Sequence, residues 1–260
     1  MDRRWLVGRE LRPDDELRLF CLPYSGGAAA VYRGWQDLLP DWISVYPLEL
    51  PGRGSRMREA PFTRLPPLVE ALADAFQTAL DRPFALFGHS MGALIAFELA
   101  RALRARGNPA PVHLFLSAKT APGVPPTLPP IRSATDAEVV RHLRRLGGTP
   151  QVILENAELM ELMVPILKAD FSVVETYEHR RQAPLATPIT VFGGAADEVA
   201  PPSTLERWRE QAAAGCRLRV FPGDHFFLHS AAADVTAEIA HVLAAWRITR
   251  SPAVPDAVRR

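Results

Sequence analysis

Three residues in this chain have the types and the order that acyl chemistry at a serine requires: Ser90, Asp197 and His225. A serine hydroxyl is a poor nucleophile until a neighbouring base takes its proton. An imidazole, with an ordinary pKa of about 6.5, accepts that proton near neutral pH and returns it to a leaving group. A carboxylate beside the imidazole holds its tautomer and stabilises the imidazolium that forms. Each of the three follows a short apolar run of strand character. The runs are Phe84 to Phe87, Pro188 to Gly194 and Arg217 to Phe221. Competing assignments are weaker. His89 adjoins Ser90 on a sharp turn and points elsewhere, His229 shares a helical face with His225, and Asp224 is too close in sequence to His225 to orient its ring.

The elements that must position these residues follow from the same stretches. Gly88-His89-Ser90-Met91-Gly92 lies between an apolar strand and an amphipathic helix. In that context G-x-S-x-G is a strained strand-to-helix turn that lifts the hydroxyl to the positive end of the helix. Gly88 and Gly92 flank it because a Cβ at either would crowd the neighbouring backbone. Small carrier proteins also present a serine at a helix start in a Gly-rich setting. They are all-helical, whereas Ser90 follows a strand inside a larger α/β pattern. Leu17 to Leu22 is a strand running into Pro23-Tyr24-Ser25-Gly26-Gly27. A loop in that place supplies one of two backbone donors to an oxyanion. The expected donors are the N–H groups of Ser25 and Met91.

The rest of the chain alternates strand and helix signals: a helix near 31–38, a strand over 43–48, helices over 65–80 and 90–106, and a strand over 112–117. Arg53, in the turn Pro51-Gly52-Arg53-Gly54, reads as a solvated loop arginine, with a place at the site mouth as the alternative. His113 reads as a satisfied core or edge histidine. The alternation then breaks at Pro122, Pro125, Pro126, Pro129 and Pro130. Thr135-Asp136-Ala137-Glu138 has capping-box spacing and opens a helix closed by Gly147-Gly148-Thr149-Pro150. Another helix runs from Leu159, kinked at Pro165, with its pattern continuing to Tyr177. This insertion is expected to sit over the strand ends as a lid. Its apolar residues Leu159, Met160, Leu162, Met163 and Ile166 read as lid core ahead of an acyl-chain channel. Arg141, Arg144 and Arg145 read as a solvated face ahead of a docking patch for an acidic partner. Strands at 188–194 and 217–221 resume the sheet, with helices over 205–214 and 235–246.

The expected fold is therefore α/β: a mostly parallel central sheet flanked by helices, with a helical lid inserted before the last two strands. The core spans 1–120 and 185–248, the lid 121–184, and 249–260 reads as a disordered tail. Serine, then acid, then histidine is the chain order of the α/β-hydrolase triad, with each residue just past a strand's C-terminal end. The chain has 260 residues, is 48% hydrophobic and 23% charged, and carries a net charge of +1. Length and composition suit a single globular core, and the charge gives no basic surface for nucleic acid. Two cysteines, Cys21 and Cys216, make no disulfide framework, and no zinc-type spacing occurs. Neither a signal-peptide core nor a membrane-spanning run is present, so a cytoplasmic location is expected.

Over roughly residues 17–247 the chain resembles the external, type II thioesterases of polyketide and nonribosomal peptide synthesis. The resemblance rests on Leu22-Pro23-Tyr24-Ser25-Gly26-Gly27, Leu50-Pro51-Gly52-Arg53-Gly54, Gly88-His89-Ser90-Met91-Gly92, Leu146-Gly147-Gly148-Thr149-Pro150, Ala169-Asp170-Phe171, Gly193-Gly194 with Asp197, and Gly223-Asp224-His225-Phe226-Phe227-Leu228. The stretches in the lid discriminate, because generic esterases share only the triad. Ser25 stands where the family commonly has alanine, which is immaterial if only the backbone N–H is used. The resemblance implies a hydrolase that frees stalled or wrongly primed acyl groups from the phosphopantetheine arm of carrier domains. It implies no cofactor or metal of the enzyme's own, and acyl or peptidyl carrier domains as partners of a monomer. It also implies a substrate surface that includes Tyr24, Gly26, His89, Met163 and Phe226.

The residues alone lead only as far as a serine-nucleophile hydrolase with a helical lid. A carboxylesterase or lipase, an acyltransferase, a release domain cut from a larger synthase and a non-catalytic binding relative are the alternatives. The start at Met1 and the lack of a carrier module favour the stand-alone form, and the complete triad disfavours the binding protein. Ser90→Ala is expected to cut turnover by several orders of magnitude. Asp197→Asn should leave folding intact but lower the rate by roughly 10⁴. Steady-state kinetics of the two variants check both, and near-normal activity of Asp197→Asn would transfer the role to Asp224.

Overall fold

The computed structural model describes residues 1, 3–7 and 10–250. Six strands form one sheet: β1 Leu17–Leu22, β2 Ile43–Pro47, β3 Phe84–His89, β4 Leu114–Ser117, β5 Ile189–Gly194 and β6 Cys216–Phe221. Their order is β2-β1-β3-β4-β5-β6, and every neighbouring pair is parallel. Parallel neighbours need crossover connections, which the helices supply on both faces. This is the α/β-hydrolase architecture. The helices are α1 Trp35–Leu38, α2 Leu65–Phe76, α3 Met91–Ala105, α4 Asp136–Leu146, α5 Gln151–Leu154, α6 Ala157–Glu175, α7 Pro202–Leu205, α8 Phe227–Ser230 and α9 Ala232–Arg250.

Burial on both faces explains why the inner strands are largely apolar, with Arg18 of β1 and Thr190 of β5 among the buried exceptions. Alternate residues of β1 serve opposite cores, as a two-residue period requires. Phe20 and Leu22 pack with Leu72 and Phe76 of α2 and Leu94 and Phe97 of α3. Leu19 and Cys21 pack with Trp35 of α1 and Val235, Ile239 and Leu243 of α9. β6, at the sheet edge, is the exception: most of its residues are at least partly exposed, and it carries Arg217 and Arg219, charges that discourage edge-to-edge pairing.

Between β4 and β5 lies the helical insertion α4–α6, with its own apolar cluster of Val139, Leu143, Leu154, Met160, Val164 and Leu167. Thr135 and Glu138 form the expected reciprocal cap, and α4 ends at Gly147 with φ +78°. α6 runs through Pro165, which lacks the N–H that a helix interior uses. Its buried stripe is Met160, Val164 and Leu167, whereas Leu159 and Leu162 are 37% and 61% exposed. The sequence grouping of Leu159 and Leu162 with the lid core is therefore corrected by the helix's rotation. Arg141, Arg144 and Arg145 are exposed, as a solvated face would be.

Other differences are local and have local causes. The helix expected at 31–38 is a 3-10 turn, Ala29–Tyr32, followed by α1, because Gly34 at φ +83° separates the two. The helix expected at 205–214 is α7 followed by a 3-10 segment, Glu206–Gln211. There the indole of buried Trp208 donates to the Lys119 carbonyl at 2.7 Å. α2 stops at Phe76 rather than Leu80, and β4 starts at Leu114 rather than Val112. α9 extends to Arg250, so Thr249 and Arg250 belong to a helix and not to a tail. The remainder of the expected tail, 251–260, lies outside the described residues. Among the described residues no helix is long and apolar enough to cross a membrane.

His113 is buried, with Nε2 2.8 Å from the Thr190 hydroxyl. Burial, reinforced by Arg217, pushes its pKa down to about 4. Below about pH 6.5 the unfolded chain therefore binds a proton that the folded chain refuses. The resulting stability is complete above pH 6.5 and is lost as pH falls toward 4. This one group should cost about 2 kcal/mol between pH 7 and pH 5. Urea unfolding of wild type and His113→Gln at both pH values measures it as the difference between their pH dependences. Equal dependences would remove His113 as the cause.

Candidate active site

The site forms along the C-terminal ends of β3, β5 and β6, with the end of β4 between them. Ser90 stands between β3 and α3 with φ +53° and ψ −113°, a backbone region that residues with a Cβ rarely enter. Close approach of neighbouring chain enforces it. A Cβ on Gly88 would overlap the Gly92 carbonyl, and one on Gly92 would overlap the carbonyl of Leu22. The Ser90 N–H donates to the Ser117 carbonyl at the end of β4, 2.8 Å away. The hydroxyl is thereby fixed at the start of α3.

His225 Nε2 lies 3.1 Å from Ser90 Oγ. Its Nδ1 lies 2.9 Å and 3.0 Å from the two carboxylate oxygens of Asp197. A carboxylate accepts, so Nδ1 carries the proton and Nε2 is free to receive one from Ser90. Asp197 is itself held by two backbone donors, Val199 and Ala200, at 2.8 and 2.9 Å. Asp197 and His225 are buried, at 3% and 5% exposure, so water competes little for the pair. The competing residues are occupied elsewhere. Asp224 accepts from the Phe226 N–H at 2.8 Å, and His229 Nε2 faces the Tyr24 hydroxyl at 2.9 Å.

His89 is fully buried, and both its ring nitrogens are engaged. Nε2 lies 2.8 Å from the His225 carbonyl, and Nδ1 lies 2.8 Å from the Ser117 hydroxyl. The carbonyl can only accept, so Nε2 carries the hydrogen and Nδ1 accepts from Ser117. Burial, with His225 nearby, holds the His89 pKa well below the usual range and keeps the ring neutral. This corrects its expected place among the substrate contacts: with no exposed surface, it is a strut beneath the backbone of His225.

The loop Pro23 to Gly27 packs against the elbow through the Gly92 contact. It is closed by a hydrogen bond from the Gly27 N–H to the Tyr24 carbonyl at 2.9 Å, with Gly26 at φ +77°. Among the described residues no group engages the N–H of Ser25 or of Met91, so both remain available to an oxyanion. The Gly26 N–H is already taken by Asp170 Oδ2 at 2.7 Å, so Gly26 shapes the loop rather than donating to substrate. Tyr24 and Phe226 are half-buried and meet edge to face at 5.1 Å, and Phe226 meets His225 at 5.2 Å. Burial pushes the Tyr24 hydroxyl up to about 12, so it stays protonated. The Phe226 ring leaves no room for a Cβ on Gly148, in the loop after α4. Met163 lies at the margin of the insertion's apolar cluster.

Arg53 is not solvated. It is 4% exposed and paired with Asp170 of α6 through two contacts of 2.7 Å. The sequence carried a signal for this pair. Asp170 lies on the same helical face as Leu167 and Val173, where a carboxylate must find a partner.

Residues 17–244 match the thioesterase domain family. The chain belongs to that family. This thioesterase is 42% identical over 226 residues to the gramicidin S biosynthesis protein GrsT of Aneurinibacillus migulanus, covering 87% of this chain and 88% of that protein. Its structure is similar to that of RedJ, the thioesterase from the prodiginine biosynthetic pathway in Streptomyces coelicolor. The TM-score is 0.83 at 36% identity, covering 93% of each chain. It is also similar to YbtT, a type II thioesterase from the yersiniabactin NRPS/PKS biosynthetic pathway. That TM-score is 0.80 at 30% identity, covering 90% of this chain and 95% of that one. The family makes the enzyme a thioester hydrolase.

His89→Phe keeps a ring in place but leaves the Ser117 hydroxyl and the His225 carbonyl without their partner. Thermal unfolding should show a loss of about 1–3 kcal/mol. Steady-state kinetics should show a lower kcat at unchanged KM. A raised KM with normal kcat would return His89 to the substrate surface.

Proposed function

We propose that this thioesterase is a type II, editing enzyme that hydrolyses acyl groups from the phosphopantetheine arm of carrier domains in polyketide or nonribosomal peptide synthesis. The carrying observation is the hydrogen-bonded series Ser90, His225, Asp197 placed beside a helical insertion that contacts the oxyanion loop. The relatives GrsT, RedJ and YbtT supply the pathway class. A generic esterase would need the triad but not this insertion, nor likeness to those relatives over nearly the whole chain.

The chemistry follows from the geometry. Ser90 Oγ attacks the thioester carbonyl carbon while its proton passes to His225 Nε2. The oxygen, now an anion, accepts from the N–H groups of Ser25 and Met91. Such preorganised donors are worth on the order of 100-fold or more in rate each. The C–S bond breaks, and the arm's sulfur leaves as a thiol with the proton from His225. A water then gives a proton to His225 and attacks the Ser90 ester, releasing the acid and restoring the hydroxyl. Asp197 keeps the Nδ1 hydrogen in place throughout. The insertion α4–α6 acts as the lid beneath which the arm threads, and Tyr24 and Phe226 form the apolar wall beside His225. In this reading the enzyme acts as a cytoplasmic monomer and needs no cofactor of its own, because the partner carries the phosphopantetheine.

Intact-protein mass spectrometry of an acetyl- or propionyl-loaded carrier protein tests this. Wild type should remove the acyl mass and leave the free phosphopantetheine thiol, and Ser90→Ala should leave the acyl group in place. If the acyl group persists with wild type while a simple ester is cleaved, the substrate assignment fails and the triad stands.

A further inference from the structure

Asp170 and Arg53 have no part in the proton relay, yet they form a buried ion pair directly behind the oxyanion loop. Asp170 is 2% exposed and sits in α6 of the insertion. Its two oxygens receive three donors, each at 2.7 Å: Gly26 N–H and Arg53 Nη1 at Oδ2, and Arg53 Nη2 at Oδ1. Arg53 Nη1 also donates to the Gly27 carbonyl at 3.2 Å. The pair therefore grips the loop at Gly26 and at Gly27.

The consequence for Ser25 follows from peptide planarity. A trans peptide points its N–H and C=O in opposite directions. The Tyr24 carbonyl is turned toward the Gly27 N–H. The Ser25 N–H, in the same peptide plane, must then point out of the turn. Asp170 fixes the next plane by holding the Gly26 N–H. With Gly26 at φ +77°, this turn has few other ways to be closed. Leu167, one turn earlier on α6, lies against Gly26 so closely that a Cβ there would be 2.7 Å from its Cδ2.

We propose that Asp170, charge-balanced by Arg53, is a positioning residue that aims the Ser25 N–H at the developing oxyanion, so that this donor is in place only when helix α6 is seated on the loop. The inference rests on the reading of Ser25 as an oxyanion donor. The insertion thus contributes to the chemistry as well as to access: a helix some 140 residues away in sequence fixes the loop that follows β1.

The test uses an alkyl fluorophosphonate, which does not depend on the identity of the natural acyl group. Ser90 Oγ forms a bond to phosphorus, fluoride leaves, and the hydroxyl proton passes to His225. The phosphoryl oxygen takes the place of the oxyanion. Adduct formation is followed by intact mass, with Ser90→Ala as the unlabelled control. Asp170→Asn keeps the side-chain shape but sets an amide against Arg53. The double variant Arg53→Met/Asp170→Leu removes both charges, an exchange that buried ion pairs often tolerate without loss of stability. Rates are taken per folded protein, measured by circular dichroism.

In both variants the limiting labelling rate should fall by about 10- to 100-fold, part of the loss expected for a missing donor. The reagent's half-saturating concentration should stay within about twofold of wild type, the split expected when ground-state binding is untouched. The imidazole NMR signal of His225 should be unchanged, because its partners Ser90 and Asp197 are untouched. Wild-type labelling rates in folded Asp170→Asn or in the folded double variant would overturn the proposal. Failure of wild type to deacylate a carrier, with labelling still sensitive to Asp170, would sink the carrier-editing reading and leave the positioning role standing.

Discussion

The backbone of Ser90 is held where an L-residue resists going, and much of the molecule serves to hold it there. A non-glycine residue at φ +53° costs on the order of 1–3 kcal/mol. That cost is borne by elements fixed for other reasons. β3 is central in a parallel sheet and α3 is packed against α2 and the sheet. The chain between them has no freedom to relax, because Gly88 meets Gly92 and Gly92 meets Leu22. Strain at the serine is thus maintained by burial of two apolar faces, the term that dominates folding.

A second layer of constraint surrounds the histidine. The His225 ring is set by Asp197, while its backbone carbonyl is held by His89, a neighbour of the nucleophile itself. Ser117 joins the two, since its carbonyl accepts from the Ser90 N–H and its hydroxyl donates to His89 Nδ1. One residue at the end of β4 therefore ties the backbone of Ser90 to that of His225. Distances of a few tenths of an ångström matter for proton transfer and attack. The end of an interior strand is better suited to such tolerances than a free loop.

The insertion is built differently. Its small apolar cluster is separate from the two cores of the sheet, and it meets the site through few, specific contacts: Asp170 and Leu167 on the oxyanion loop, and Gly148 on Phe226. Its far end is anchored: Val173, near the C-terminus of α6, is buried in the core that the sheet shares with α2 and α3. Its buried charged contact, Arg53 with Asp170, has both partners paired, because separating them would leave an uncompensated buried charge.

Sequence by itself determined the sheet and singled out Ser90, Asp197 and His225, which the fold brings together, because these rest on local patterns. Strand runs, a Gly-flanked turn and the capping box of Thr135 and Glu138 each depend on residues a few positions apart. Tertiary structure decided what depends on distant partners. Arg53 in a Pro-Gly turn carries every local mark of solvent exposure, and only the approach of α6, 117 residues later, buries it. His89 has the chemistry of a site residue, and only the position of the His225 carbonyl makes it a strut. The rotation of α6 about its axis, which exposes Leu162 and buries Val164, was likewise set by what it packs against. Periodicity fixes which residues share a helical face, but the direction that face looks is decided by the surface waiting for it.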